Sequence, residues 1–307
     1  MNIKLNQPYS FCQRGKRDNQ EDSRYPDSDQ PSADSHFFIV CDGVGGEEDG
    51  EMASKAVAEG LGSAMKKHDW QQPFTAADFL KALEGAYKAL NKTAADDGNA
   101  DMATTLTMLC FHPEGCSMAH LGDSRIYHYR PDYGLIHRTD DHSLINELIH
   151  AGIVAPEDED THPQRSTISR YMAPETIGEQ RCRPSWYTTA DVAPGDVFFL
   201  CTDGVTDVLS DNELEQILCG QSTDEEKRDQ IARRCLDSHD NNTACLVSVA
   251  QVSDNDTDET SKSEEQQQTD SSTQPIHRQD ATVSDLENAE PAKKRSLLNL
   301  IKNMFNF

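Results

Sequence analysis

Residues 37–43 read Phe-Phe-Ile-Val-Cys-Asp-Gly, and residues 197–204 read Val-Phe-Phe-Leu-Cys-Thr-Asp-Gly. Each is a short apolar run of the length and composition expected for a buried strand. One Asp-Gly pair says little, because this pair is common in turns. Two carboxylates that directly follow two buried strands, Asp42 and Asp203, are nevertheless candidate metal ligands.

Further carboxylates lie beside other predicted strands. Asp240 precedes the strand-like run 244–249, Asp123 lies in the segment Leu-Gly-Asp-Ser-Arg, and Glu21 and Asp22 are adjacent near the start. Carboxylates without histidine or cysteine form a hard-oxygen site, which suits Mg²⁺ or Mn²⁺ better than Zn²⁺. Two such ions can hold a bridging water or hydroxide and assist a displacement at phosphorus.

Arg17 is the candidate phosphate-binding residue. Its guanidinium group stays charged, and its planar fork matches two phosphoryl oxygens. The alternative for an isolated arginine is a surface ion pair, here with Glu21 or Asp22. The surrounding set of carboxylates favours the phosphate role.

The charge of the chain is uneven. The 307 residues carry a net charge of -26, of which 254–292 contribute -9 and 293–307 contribute +4, leaving -21 on residues 1–253. A field of that sign disfavours nucleic acid and anionic membrane as partners of the main part of the chain. It favours metal cations and basic peptide segments.

The cysteines and the apolar segments indicate a cellular compartment. The chain has nine cysteines but no Cys-x-x-Cys pair, and several lie within apolar runs, where a thiol behaves as a small hydrophobic group. No stretch resembles a signal peptide or reaches the length of a membrane span. We therefore expect a reduced, cytoplasmic protein, and a monomer.

Two kinds of periodicity predict the fold class. Apolar residues recur at helical spacing over 53–65 and over 79–90, the second after a candidate cap, Thr75. Residues 104–138 show four short strand patterns separated by turns, which predicts an antiparallel meander. Strands grouped apart from helices favour α+β layers over a doubly wound sheet. The polar stretch 156–167 is either a functional flap or a surface loop.

The last part of the chain has a different composition. Residues 253–292 are rich in Ser, Thr, Gln, Asp and Glu, which predicts a disordered acidic linker. Residues 293–307 are basic and amphipathic, which predicts a segment that docks on an anionic membrane or in a groove of a partner protein. The alternatives are a frayed end or a contact with the acidic domain.

A set of motifs in a fixed order resembles the metal-dependent serine/threonine protein phosphatases of type 2C, the PPM family, in its bacterial form. The matching segments are Arg17-x-x-x-Glu21-Asp22, Asp42-Gly43-Val44-Gly45-Gly46, Met102-Ala103-Thr104-Thr105-Leu106, Gly122-Asp123-Ser124-Arg125, Asp141-His142-Ser143, residues 162–170, Thr202-Asp203-Gly204 and Asp240-Asn241-x-Thr243. The resemblance implies that residues 1–252 are the catalytic domain. It also implies a four-layer αββα sandwich of two antiparallel sheets flanked by helix pairs.

The resemblance further implies the role of each site residue. Asp42 would bridge two tightly bound Mn²⁺ or Mg²⁺ ions, with the Gly43 carbonyl on one of them. Asp203 and Asp240 would be the other direct ligands, and Glu21 and Asp22 would hold metal-bound waters. Asp123 and Asp203 would bind a third metal ion more weakly. Arg17 would bind the phosphate. The implied reaction is hydrolysis of phosphoserine and phosphothreonine in proteins by a metal-bridging hydroxide.

One departure from the family pattern concerns proton transfer. Many eukaryotic members have a histidine where this chain has Val44, which cannot donate a proton to the leaving alkoxide. A metal-bound water, or else His142 or His162, would have to supply that proton.

Two other functions compete with the leading one. A pseudophosphatase would bind phosphoproteins on the same fold, but a retired site is expected to lose a ligand. A metal-dependent phosphodiesterase or nuclease is disfavoured by the negative charge of the domain. Under the leading interpretation, the partners are phosphorylated proteins, including a Ser/Thr kinase or its targets.

Overall fold

The computed structural model describes residues 1–44, 48–98, 101–156, 158, 162–164, 167–175 and 181–253. In these residues the strands are β1 (Asn2–Leu5), β2 (Tyr9–Gln13), β3 (Ser23–Tyr25), β4 (Phe37–Cys41), β5 (Gly43–Val44), β6 (Ala103–Thr104), β7 (Leu106–His112), β8 (Gly115–Leu121), β9 (Arg125–Arg130), β10 (Gly134–Arg138), β11 (Ser185–Thr189), β12 (Val197–Cys201) and β13 (Asn242–Ser253). The helices are α1 (Glu48–Met65), α2 (Ala76–Asp97), α3 (Leu144–His150), α4 (Asp203–Thr206), α5 (Asp211–Leu218) and α6 (Asp224–Cys235).

The strands form two antiparallel sheets. One has the order β1-β13-β12-β9-β10, with β2 also paired to β13, and the other has the order β11-β8-β7-β4-β3. The long strand β13 accommodates both N-terminal strands because β1 pairs with its C-terminal part and β2 with its N-terminal part. A separate short pair, β5 with β6, lies just beyond β4 and before β7.

The fold has four layers, a helix pair, two sheets and a second helix pair, and an apolar cluster lies between each two neighbouring layers. The cluster between the sheets takes alternate residues from both, including Phe38 and Val40 of β4 and Phe198 and Leu200 of β12. Because side chains alternate along a strand, the intervening residues face outward onto helices. Ile39 joins the cluster with α1 and α2, and the outward residues of β12 join a cluster with α5 and α6. The predicted αββα sandwich with a helix pair on each outer face is confirmed.

The helix predicted after Thr75 is confirmed together with its cap. The Thr75 side chain accepts a hydrogen bond from the Asp78 N–H, and the Asp78 carboxylate accepts one from the Thr75 N–H. Such a reciprocal capping box satisfies two backbone donors that would otherwise lack partners. The helix buries one face, which includes Phe79, Leu83 and Leu90.

The prediction of one continuous meander over 104–138 is wrong. Strands β7 and β8 pair in one sheet, whereas β9 and β10 pair in the other, so the chain crosses between the sheets after β8. Gly122 lies in this crossover with φ +98°, a conformation that side chains of L-residues disfavour. The alternation within each strand is the same in both arrangements, so the sequence pattern does not reveal the crossover.

The residues assigned structural roles occupy such positions. All nine cysteines are free, and Cys41, Cys110, Cys201 and Cys245 are buried in the core. Trp70, whose residue type predicts a packing or loop-anchoring role, stacks on Phe74 and Phe37. No helix among the described residues is both long and apolar enough to cross a membrane. The predictions for most of 253–292 and for all of 293–307 concern residues outside those described.

Candidate active site

The strand register brings the predicted site residues to one end of the sandwich. Cys41 at the end of β4 pairs with Ser23 at the start of β3. Asp42 follows Cys41 and Asp22 precedes Ser23, so the two aspartates lie next to each other at the same end of this sheet. In the other sheet, Cys201 at the end of β12 pairs with both Arg125 and Ala244. Those pairings place the end of β12 beside the starts of β9 and β13. Asp203 follows β12, Asp123 precedes β9, and Asp240 lies two residues before β13, so all three lie at this end.

Threonine and serine hydroxyls hold the carboxylate-bearing backbone in place. Thr202 Oγ1 donates to Asp22 Oδ2 at 3.0 Å and accepts from the Thr243 N–H at 3.0 Å. The Asp42 N–H donates to Thr105 Oγ1 at 2.9 Å, and Thr104 Oγ1 donates to the Asp42 carbonyl at 2.8 Å. The two sheets are therefore linked at this end through polar side chains and not only through the apolar core.

The roles of these hydroxyls cannot be predicted from the sequence. Thr202, Thr104, Thr105 and Thr243 are all buried, and Thr105 Oγ1 also lies 2.7 Å from the buried Ser124 Oγ. A threonine before an aspartate at a strand end is an ordinary strand residue in sequence terms. Their contacts join segments far apart in the chain, so only the tertiary structure reveals them.

The carboxyl groups at this end have raised pKa values. Loss of surrounding water is the largest cause, followed by repulsion from other carboxylates: the pKa of Asp22 and that of Asp123 rise to about 8, and that of Asp203 to about 6. The pKa of Asp42 is raised well above its usual value for the same reasons. The interaction between the side chains of Asp42 and Asp203 raises the pKa of Asp42 and lowers that of Asp203.

The donor set fits hard divalent cations. In the described part of the chain, buried oxygens without a hydrogen-bond partner include Oδ1 of Asp22, Asp123 and Asp203. Three unpartnered carboxylate oxygens at one end of a fold are costly unless a cation or water satisfies them. Among the described residues, no group of three or more Asp, Glu, His or Cys side chains has the geometry of a formed metal site. The oxygens present fit Mg²⁺ or Mn²⁺ by their chemistry.

Arg17 and Glu21 lie at the rim of this cluster. Arg17 Nη2 donates to Asp240 Oδ2 at 2.6 Å, and the two side chains are 55% and 32% exposed. The alternative interpretation of Arg17 is a surface ion pair with Glu21 or Asp22. Its partner in the structure is instead Asp240, a predicted metal ligand. Burial raises the pKa of Glu21, and the charge of Arg17 opposes that rise.

Gly43 occupies a position with no room for a side chain. Its N–H donates to the Glu21 carbonyl at 3.1 Å. A Cβ on Gly43 would lie 2.2 Å from the Gly50 carbonyl oxygen and 2.6 Å from that of Glu21. The absence of a side chain lets the Asp42–Gly43 turn, the Glu21 segment and the start of α1 meet closely.

His142 is unsuited to the alternative role of proton donor. It is buried and stacks on His120, with ring centroids 4.3 Å apart. Because the Gly122 N–H donates to its Nδ1, its Nε2 carries the proton and faces Ser185 Oγ at 2.8 Å. Burial lowers the pKa of His142 to about 3, so the ring is neutral near pH 7. Its ring nitrogens are occupied by structural hydrogen bonds.

The segment after the polar stretch is tied to the site. Thr104 and Met172 exchange two backbone hydrogen bonds, of 2.9 and 2.8 Å, and the Ser169 N–H donates to the His142 carbonyl at 2.8 Å. Met172 is therefore adjacent to the threonine that holds the Asp42 carbonyl. These contacts anchor the described end of the predicted flap or loop.

Comparison with known proteins identifies the class. A sequence model of the family described as Protein phosphatase 2C matches residues 14–236. The chain belongs to the protein phosphatase 2C family, and the predicted class of metal-dependent phosphoprotein phosphatase is confirmed.

Individual relatives agree with this assignment. Protein phosphatase PhpP of Streptococcus pneumoniae is 30% identical over 225 residues, covering 69% of this chain and 85% of that protein. The crystal structure of the Mycobacterium tuberculosis serine/threonine phosphatase PstP/Ppp superposes with a TM-score of 0.69 at 26% identity, covering 81% of this chain and 100% of that one. A structure of the PstP catalytic domain in complex with two manganese ions has a TM-score of 0.65 at 25% identity, with coverage of 81% and 100%.

Proposed function

We propose that this protein hydrolyses phosphoserine and phosphothreonine esters in other proteins at a site that holds two Mn²⁺ or Mg²⁺ ions. The observation that carries the proposal is the convergence of Asp22, Asp42, Asp123 and Asp203, with raised pKa values and unpartnered oxygens on three of them. A fold has no structural use for four such groups together, because their charges repel. A relative that binds two manganese ions supports the assignment.

The chain offers a distinct role for each acidic residue. Asp42 would bridge the two ions, the Gly43 carbonyl would be a ligand of one of them, and Asp203 and Asp240 would be the other direct ligands. Glu21 and Asp22 would act through bound water, and Asp123 with Asp203 would form a third, weaker site. Bound there, the two ions would supply a bridging hydroxide as nucleophile and neutralise the phosphoryl oxygens.

Arg17 would bind the phosphoryl group. It is the guanidinium at the rim of the cluster, it is half exposed, and its partner Asp240 would turn to a cation when one is bound. A planar, permanently charged donor at this position can hold two phosphoryl oxygens and orient the ester for attack. Val44 has no proton to donate and the ring nitrogens of His142 are held in structural hydrogen bonds, so water at the site, or else His162, would protonate the leaving group.

The charge of the domain suggests the character of the substrate. Residues 1–253 carry a net charge of -21, which favours phosphorylated segments with basic flanks. We extend the proposal to a Ser/Thr kinase or its targets as substrates. A monomeric state and a cytoplasmic location remain predictions from the sequence.

The competing functions are less well supported. A pseudophosphatase would not require the complete set of acids, nor the buried hydroxyls of Thr105 and Thr202 that hold Asp42 and Asp22. A nuclease would require a basic surface for the phosphate backbone, which the charge of residues 1–253 opposes.

The direct test is release of phosphate from phosphothreonine and phosphoserine peptides with Mn²⁺, and with EDTA as the control. The Asp203→Asn variant should lose this activity. A matched variant is Asp207→Asn, since Asp207 is exposed at the end of the same short helix α4 and should leave the activity unchanged. Full activity in EDTA, or equal activity in the two variants, would contradict the proposal.

A further inference from the structure

The loop between β2 and β3 carries three of the proposed functional side chains, those of Arg17, Glu21 and Asp22, on irregular backbone. Residues 14–22 form no helix or strand, yet Arg17 and Glu21 must be held near the strand ends. An irregular exposed loop is ordinarily among the more mobile parts of a fold. Something outside the loop must therefore fix its position.

The side chain of Asn241 contacts this loop at three points. Its Nδ2 group donates to the Arg14 carbonyl at 2.8 Å and to the Asn19 carbonyl at 2.8 Å. Its Oδ1 accepts from the Glu21 N–H at 2.8 Å. Asn241 is 4% exposed, so these bonds form away from water.

The three contacts surround Arg17 in the sequence. One lies three residues before it, and the others lie two and four residues after it. The amide of asparagine provides two donors on one atom and an acceptor on another, which this arrangement uses in full. Aspartate would lose both donors, and an apolar residue would leave the two carbonyls and the N–H without these partners.

The backbone of the same loop lies directly against the segment that precedes Asn241. The Lys16 N–H donates to the Ser238 carbonyl at 2.9 Å. Gly15 has φ +60°, and a Cβ there would lie 2.2 Å from the Asp240 carbonyl oxygen. This close approach places Arg17 over Asp240.

We propose that Asn241 is the positioning residue for Arg17: its buried amide holds the 14–21 loop so that the guanidinium group reaches the phosphoryl group of the substrate. This inference rests on the proposed function for the role of Arg17. In this role Asn241 acts through the loop, which its side chain contacts.

A double-mutant cycle tests the proposal, with kcat and KM measured on a phosphothreonine peptide at saturating Mn²⁺. Asn241→Ala should lower kcat/KM roughly tenfold or more, chiefly through KM, because the phosphate-binding group is no longer held. In an Arg17→Ala background the same substitution should cost less than about twofold, because the group it positions is already absent. An equal loss in both backgrounds would show a general structural role and overturn the proposal.

Asn242→Ala is the matched control. Asn242 is the next residue, is fully buried, and donates to the Asp240 carbonyl at 3.2 Å, and no hydrogen bond of its side chain reaches the 14–21 loop. Its effect on kcat/KM should be the same with and without Arg17. If Asn241→Ala does not fold, Asn241→Ser takes its place in the cycle.

Hydrogen exchange separates failure of this inference from failure of the proposed function. Backbone amides of 14–21 should exchange faster in the Asn241 variant than in Asn242→Ala, whether or not the protein releases phosphate. Unchanged exchange in this segment would overturn the inference even if the protein is an active phosphatase. Absence of phosphate release by the wild-type protein would instead reject the proposed function.

Discussion

Arg17 Nη2 lies 2.6 Å from Asp240 Oδ2, so the proposed phosphate-binding group is paired with a proposed metal ligand. The hydrogen bond to Asp240 raises the pKa of Arg17, as expected for a cation stabilised by a carboxylate. A divalent cation at Asp240 would compete for the same carboxylate and release the guanidinium toward substrate. Metal binding and phosphate binding are therefore expected to be coupled through this pair.

Substitution of Arg17 should separate phosphate binding from metal binding. Hydrogen bonds to charged groups contribute about 1.5–3 kcal/mol, so Arg17→Ala should lower kcat/KM roughly 10- to 150-fold. The Mn²⁺ affinity, measured by calorimetry, should stay the same or rise, because a competing cation has left Asp240. Arg14→Ala removes a cation from the same loop and should change neither quantity. A large fall in Mn²⁺ affinity in Arg17→Ala would place Arg17 in a structural role.

Neutralising a site carboxylate should abolish turnover without weakening the metal-free fold. Asp42→Asn, Asp203→Asn and Asp240→Asn each remove a negative charge from a group of mutually repelling acids. Their melting temperatures in EDTA at pH 8 should equal or exceed that of the wild-type protein. Wild-type phosphatase activity in any of the three would reject the assignment of that residue.

Asp196→Asn is the contrasting control for that experiment. Asp196 is fully buried but accepts hydrogen bonds from Arg130 and faces His128 Nε2 at 2.8 Å. These partners outweigh burial and lower the pKa of Asp196 to about 2. Its neutralisation should reduce the free energy of unfolding by about 1.5–3 kcal/mol. A stabilising effect there would show that hydrogen-bond partners do not distinguish Asp196 from the site carboxylates.

The stability of the metal-free protein should fall as pH rises from 6.5 to 8. Asp22 and Asp123 have folded-state pKa values of about 8, above the ordinary value for aspartate, so the folded state holds more protons than the unfolded state in this range. Stability then decreases with pH. The buried histidines with lowered pKa values act only below about pH 6.5, where the unfolded chain binds their protons.

Thermal unfolding in EDTA across this range measures that slope. Asp22→Asn should flatten it, because one of the two raised groups is removed. Excess Mn²⁺ should reverse the slope, since cations displace protons from the carboxylates more easily at higher pH. A slope that is unchanged in Asp22→Asn would contradict the assignment of the raised pKa to this carboxyl.

The Asp123→Ala variant should lose only the third metal site. Asp123 lies in the crossover between the sheets, and its charge is coupled to that of Asp203. Two tightly bound Mn²⁺ ions should remain while turnover falls. Crystals of the variant soaked in Mn²⁺ would count the ions, and three occupied sites would show that Asp123 is not a ligand.

Removal of residues 254–307 should leave activity on a short phosphopeptide intact. The described site residues all lie before the end of β13 at Ser253. The prediction that residues 293–307 dock on a membrane or a partner protein would then show as a change in localisation or in the rate on a protein substrate. Loss of activity on the short peptide would instead show that the last part of the chain belongs to the catalytic fold.

Local patterns predicted the elements because burial leaves a periodic record in the sequence. The apolar run at residues 37–41 and the helical spacing before Met65 each correspond to a single element, β4 and α1. The division of 104–138 between two sheets leaves no such record. Both hairpins alternate in the same way, and the chain passes from one sheet to the other at Gly122, which has a positive φ.

The site residues are also predictable only in part from the sequence. The aspartates at strand ends can be predicted as candidate metal ligands, because residue type and position are sufficient to identify them. The mutual effect of Asp42 and Asp203 on their pKa values, and the hydrogen bonds from Asn241 to a loop more than 200 residues earlier, arise from contacts between distant segments. No local rule assigns a structural asparagine a partner at that separation.

The most direct test of the central claim is to measure bound Mn²⁺ by equilibrium dialysis alongside phosphate release from a phosphothreonine peptide. We predict no release from the metal-free protein, release that rises as two Mn²⁺ ions bind per chain, and loss of both release and tight binding in Asp42→Asn. Phosphate release that is independent of Mn²⁺, or that persists in Asp42→Asn, would contradict the claim that the converging carboxylates form a catalytic metal site.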